Sequence, residues 1–158
     1  MGSTKLVETA KKVLELPDTL DSHVYMRKFQ GSLDTISPDF MQSVQESPNT
    51  CGTSFCIAGW LAAYDGFPKE HRDYLETDKR NFHFKYIDYS ETLTGQDSED
   101  LEWKFLFFDY WPNSLKAAKK RAKHLIDNGG VAPPIETWLK EFDFTSSYGL
   151  AKLRERNI

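Results

Sequence analysis

Ten consecutive apolar or small residues, Phe55-Cys56-Ile57-Ala58-Gly59-Trp60-Leu61-Ala62-Ala63-Tyr64, constrain this chain more than any other stretch. No solvated surface accepts such a run, and it is too short to cross a bilayer, which takes roughly 20 residues as a helix. It predicts a helix over 55–64 that is buried on most sides. The residues before it prepare the turn: Gly52 supplies the backbone freedom, and Thr53 or Ser54 presents a hydroxyl to the first free N–H groups. Ala58, Gly59, Ala62 and Ala63 let neighbouring backbones come close. On an exposed helix Gly59 would cost about 1 kcal/mol against alanine, so packing explains it. Asp65-Gly66 offers a left-handed cap, and Pro68 prevents the helix from resuming.

At 158 residues the chain suits one domain, 1–158, able to bury a core without disulfides or metal. A content of 39% hydrophobic and 14% aromatic residues excludes disorder. A net charge of −4 and a pI near 5.6 argue against a general nucleic-acid binder. No secretory signal pattern and no membrane-spanning run is present, which gives the expectation of a cytoplasmic protein whose two cysteines are reduced.

Along the chain, Leu6, Val7, Ala10, Val13 and Leu14 recur at helical spacing and predict an amphipathic helix over 4–16, stopped by Pro17. Phe40, Met41 and Val44 after Pro38 suggest a short helix, and a charged one is expected over 68–76. Phe82, Phe84 and Tyr86 alternate like a strand, yet Phe82, Tyr86, Tyr89 and Leu93 fit helical spacing over a longer window; the expectation taken is helix over 82–93, capped by Gly95. Further helices are predicted over 98–109, over 114–127 with Asn113 or Ser114 as cap and Asn128-Gly129 as end, over 135–142, and near 147–156. The fold class expected is therefore all-α: a helical bundle around the buried 55–64 helix.

The stretch C-G-T-S-F-C-I-A-G-W, with Leu93-Thr94-Gly95, Leu106-Phe107-Phe108, Trp111-Pro112 and the alanine-bearing helix ending at Gly129, resembles a family of small uncharacterised proteins of bacteria and their phages. The shared pattern is C-G-T-x-x-C-I-A-G-W, a helix ending in Leu-Gly, a Leu-Phe and Trp-Pro pair, and a helix ending in Gly. It covers residues 51–129, with Tyr25-Met26 as an upstream match. The chain departs from it at Thr94 and carries an insertion between Phe29 and Cys51. The resemblance implies a setting and no activity: a cytoplasmic accessory protein of a phage or mobile element that binds and modulates a host component.

Four chemistries are open. Cys56, expected in the first turn of the core helix, would have its thiol pKa lowered by free N–H groups, and with His71 or His83 as base it would make a cysteine hydrolase or transferase. Against this stands its reading as a small buried residue, with Cys51, Gly52, Thr53, Cys56, Gly59 and Trp60 forming a structural motif. Cys51 and Cys56 with a histidine could hold zinc, but no second ligand pair accompanies them, so no metal or cofactor is expected. Lys116, Lys119, Lys120, Arg121 and Lys123 give the 114–127 helix a positive face that serves either phosphate contact or solvation, and solvation is the simpler account. Finally, the run from Trp103 to Trp111 carries more large apolar residues than one helix face buries. Trp103, Phe107, Phe108, Tyr110 and Trp111 are therefore the candidate binding residues, for a host protein or a small ligand, with an aromatic core as the competing account. The preferred function is non-catalytic binding; nothing in the sequence opposes a homo-oligomer.

Overall fold

The computed structural model describes residues 4–24, 26, 35–46, 55–144 and 146–156. Tyr25, Phe29 and the motif residues Cys51, Gly52, Thr53 and Ser54 lie outside them, so the hydroxyl cap expected from Thr53 or Ser54 does too.

Among the described residues the chain is mostly helical, with α1 (Thr4–Glu15), α2 (Pro38–Glu46), α3 (Ile57–Tyr64), α4 (Tyr86–Thr94), α5 (Leu101–Phe107), α6 (Leu115–Asp127), α7 (Ile135–Glu141) and α8 (Ser147–Arg156). Short 3₁₀ turns occupy Asp18–His23 and Lys69–His71. The buried apolar residues form one continuous cluster running from Leu6 to Leu153. No described helix is long and apolar enough to cross a membrane.

Every residue of α3 from Ile57 to Ala63 is buried, as its composition requires. Its close fit depends on Gly59: a Cβ there would stand 2.7 Å from the Cβ of Phe55. The helix ends as its sequence indicates, with Gly66 at φ 76° and the Phe67 N–H donating to the Ala62 carbonyl at 2.8 Å. Phe67 itself takes φ 51°, a left-handed conformation that costs a bulky residue about 1 to 2 kcal/mol. Its ring is fully buried against Phe55, Phe82 and Phe84, and that packing holds the strained backbone. Arg72 closes the turn by donating to the Gly66 and Phe67 carbonyls.

The helix α6 is capped from two directions. Ser114 Oγ accepts the Ala117 N–H at 3.1 Å, and Asp21 Oδ1 accepts the N–H groups of Leu115 and Lys116 at 2.8 and 3.1 Å. This contact seats α6 against the end of α1, where Leu6, Ala10 and Val13 are buried. Thr9 Oγ1 shares its proton between the Lys5 carbonyl at 2.8 Å and the Leu93 carbonyl at 3.1 Å, and the latter contact joins α1 to α4.

Among the described residues the structure departs from an all-α fold by a small sheet. Thr35–Ile36 (β1), Arg72–Tyr74 (β2) and Phe82–Phe84 (β3) form an antiparallel sheet in the order β1-β3-β2. The helix expected over 82–93 is thus a strand followed by α4, and the short helix expected over 68–76 is a 3₁₀ turn followed by β2. Period two wins at 82–84 because both phenylalanines face the core while His83 between them does not. The Asp78 carboxylate, accepting from the Arg80 N–H and the Asn81 side chain, builds the turn that returns β2 onto β3.

Candidate functional site

Cys56 is the N-cap of α3, one position ahead of the first turn. Its Sγ accepts the Gly59 N–H at 3.3 Å, doing what a serine hydroxyl does at other helix starts. The residue is only 3% exposed. Burial pushes the thiol up to about 12 and outweighs the Gly59 and Ala58 N–H groups that pull it down. The lowered pKa expected from the helix start is corrected accordingly, because withdrawal from water dominates at this depth.

The imidazoles do not rescue a nucleophile. His71 is buried with Nδ1 3.1 Å from Asp88 Oδ2, its ring against Phe84 and Tyr89. His83 lies at the centre of the sheet, its Nδ1 buried without a hydrogen-bond partner. No hydrogen bond joins either ring to the sulfur among the described residues. Nor do the described residues bring together three or more His, Cys, Asp or Glu side chains that could hold a metal ion.

In a Cys51→Ser background Cys56 should therefore resist Ellman's reagent at pH 8 and react fully once the chain is unfolded in urea. Rapid labelling of the native protein would restore the enzyme reading. The same burial has a pH signature. The thiol loses its proton near 9.0 when unfolded and near 12 when folded, so its contribution to stability is complete below pH 9 and is lost as the pH rises toward 12. Urea midpoints should fall across that window, and less steeply in Cys56→Ala.

The aromatic run divides between core and surface. Trp103, Phe107 and Trp111 are buried, and of these three only Trp103 borders a cleft described below. The Trp103 indole N–H donates to Ser90 Oγ at 2.9 Å and that of Trp111 to the Lys104 carbonyl at 2.8 Å. Phe108 and Tyr110 are half-buried, with ring centroids 4.9 Å apart.

Arg121 leaves the positive face expected of α6 and enters the core, fully buried. Its Nε donates to the Phe105 carbonyl at 2.9 Å, its Nη2 to that of Leu106 at 3.3 Å, and its guanidinium lies 4.4 Å from the Trp111 ring centre. It thereby satisfies the Phe105 and Leu106 carbonyls that the end of α5 leaves free, while the Lys104 carbonyl accepts both the Phe108 N–H and the Trp111 indole. Lys119 reaches the Leu16 carbonyl and Asp18, Lys120 the Glu141 carbonyl, and Lys123 pairs with Asp127.

Beside α5 a cleft of about 240 Å³ opens toward Ile87 of α4 and Lys152 and Leu153 of α8. Trp103, Phe108 and Tyr110 supply its aromatic walls, and Ser98, Glu99, Lys104 and Asp109 its polar groups. The Lys104 ammonium is at its base: the residue is 6% exposed, and Nζ donates to the Ser98 carbonyl at 3.0 Å and lies 3.5 Å from Glu99 Oε2. The approach of α8 depends on Gly149, where a Cβ would stand 2.8 Å from Cγ of Tyr110. Sequence reasoning misses both Lys104 and Gly149. The available signal is that Trp103-Lys104-Phe105-Leu106-Phe107 leaves no apolar-free side on which a lysine could meet water.

A second cleft, about 270 Å³, lies between α1, α3 and α4. There Tyr89 O–H donates to Asp65 Oδ2 at 3.1 Å, and burial together with that carboxylate pushes the phenol's pKa up. Its remaining polar side chains, Lys12, Glu15 and Tyr64, are partly or largely in solvent. The first cleft, with a buried cation and three of the candidate rings, is the stronger site.

No protein-family model matches the chain, and no curated protein and no solved structure matches it.

Proposed function

We propose that the protein acts by binding, without catalysis, and that the cleft between α5 and α8 receives a small ligand or the protruding group of a host protein. One observation carries this reading: the aromatic run, too rich for one face, sends Phe108 and Tyr110 to the rim of a cleft whose base is a buried ammonium. Rings at a half-exposed rim offer apolar area with little side-chain entropy to lose, and the ammonium selects among polar groups. The inert Cys56 thiol favours this reading over a cysteine hydrolase. The motif resemblance suggests the setting, a cytoplasmic accessory protein of a phage or mobile element, with its helices bundled around α3.

Amide NMR with a panel of small aromatic probes tests it. Shifts should concentrate at residues 103–110 and 152–153, and Tyr110→Ala should reduce them without unfolding the protein. Probes that bind nowhere, or that perturb only the α1–α3–α4 cleft, would remove the site from consideration.

A further inference from the structure

We infer that the cleft takes its ligand by a carboxylate, held on the Lys104 ammonium, with an apolar and preferably aromatic body against Phe108, Tyr110 and Trp103. This rests on the reading of the cleft as a binding site and adds the chemical class of what binds.

The ammonium of Lys104 has three N–H donors. The protein gives it one well-placed acceptor, the Ser98 carbonyl at 3.0 Å. Its second contact, Glu99 Oε2 at 3.5 Å, is long for a bond between charged groups, which runs nearer 2.7 to about 2.9 Å. The face of Phe108 lies 5.9 Å away and adds a weaker attraction. A cation removed from water to this extent is stabilised when a second strong acceptor reaches it. Glu99 is poorly placed to be that acceptor, since it stands 3.5 Å away and its side chain is 59% exposed.

The remaining charges limit the ligand further. Glu99 and Asp109 face the cleft together with Lys104 and Lys152, so the formal charges balance. A dianion gains nothing from that field, whereas a single carboxylate placed on Lys104 gains a charge-assisted bond. The volume, about 240 Å³, is below the roughly 300 to 1,000 Å³ of sites for drug-sized molecules, which suits one ring on a short acidic arm. A free arylalkyl acid and the terminal carboxylate of a peptide ending in an aromatic residue share this chemistry.

The test uses the full chain and five probes: 3-phenylpropionate, its amide, 3-phenylpropylamine, and the peptide Gly-Gly-Gly-Phe with a free or an amidated C-terminus. Tryptophan emission and amide NMR shifts report binding. The acid should bind about tenfold more tightly than its amide, the difference expected when both partners of the hydrogen bond are charged rather than the ammonium alone. Lys104→Arg should keep that preference, and Lys104→Met should abolish it, the acid losing more affinity than the amide. If Lys104→Met fails to fold, the comparison of acid and amide on the wild-type protein still decides. Tighter binding of the free-ended peptide than of phenylpropionate assigns a peptide terminus, and the reverse assigns a small acid; both support the carboxylate. Equal binding of acid and amide, or tighter binding of the amine, overturns the carboxylate and leaves the cleft a binding site. Failure of every probe to bind overturns both.

Discussion

Arg121→Ala is expected to destabilise the protein by about 4 kcal/mol, read as a lower urea midpoint at unchanged slope. Two losses combine. The side chain is fully buried, so truncation leaves a cavity beside Trp111, and the carbonyls of Phe105 and Leu106 lose their donors. Arg121→Met separates these losses, since it fills most of the space and donates no hydrogen bond; about 2 to 3 kcal/mol is expected from the orphaned carbonyls. An opposing cost exists: burial pushes the guanidinium down to about 9, still charged at neutral pH, and its Nη1 has no hydrogen-bond partner. Should Arg121→Met equal or exceed the wild type in stability, that cost outweighs the two bonds, and the arginine does not secure the end of α5.

Trp60→Ala should cost about 3 to 5 kcal/mol, the range for emptying a buried aromatic site. Trp60 is fully buried in α3, packs edge to face on Phe55 with centroids 5.1 Å apart, and donates its indole N–H to the His23 carbonyl at 3.0 Å. That carbonyl also accepts the Phe55 N–H at 3.0 Å. Trp60→Phe should therefore cost only about 1 to 2 kcal/mol, because the carbonyl keeps one donor when the indole is gone. Thermal melting of both variants checks the ratio. If the phenylalanine variant loses as much as the alanine one, the hydrogen bond to His23, and not the filled volume, is what the site depends on.

What could be read in advance follows from how local the signal is. The helices α1, α3, α6 and α8 were visible because apolar spacing, caps and stops all lie within the segment itself. Gly95 was equally legible, and it does end α4 at φ 65°. The sheet was not, since three residues of alternation at 82–84 are outvoted by a longer helical window, and β1 comes from a stretch of turn formers far away in the sequence. Arg121 was misplaced and Lys104 overlooked for a common reason: charge is assigned outward by default, but both side chains are buried in the packing around α5. Phe108 and Tyr110 were singled out from composition alone. The cleft beside them was not, because it exists only once α8 is laid against α5.

The seating of α1 on α6 bears on synthesis. The helix Thr4–Glu15 leaves the ribosome well before α6, yet the largest part of the surface that covers it, and the backbone that Asp21 caps, are translated only with Leu115–Asp127. Until then its apolar stripe lacks its main native cover, so the nascent chain presents a sticky segment while the residues up to α6 are being added. Chaperone dependence during translation should accordingly fall away only when residues beyond Asp127 have emerged.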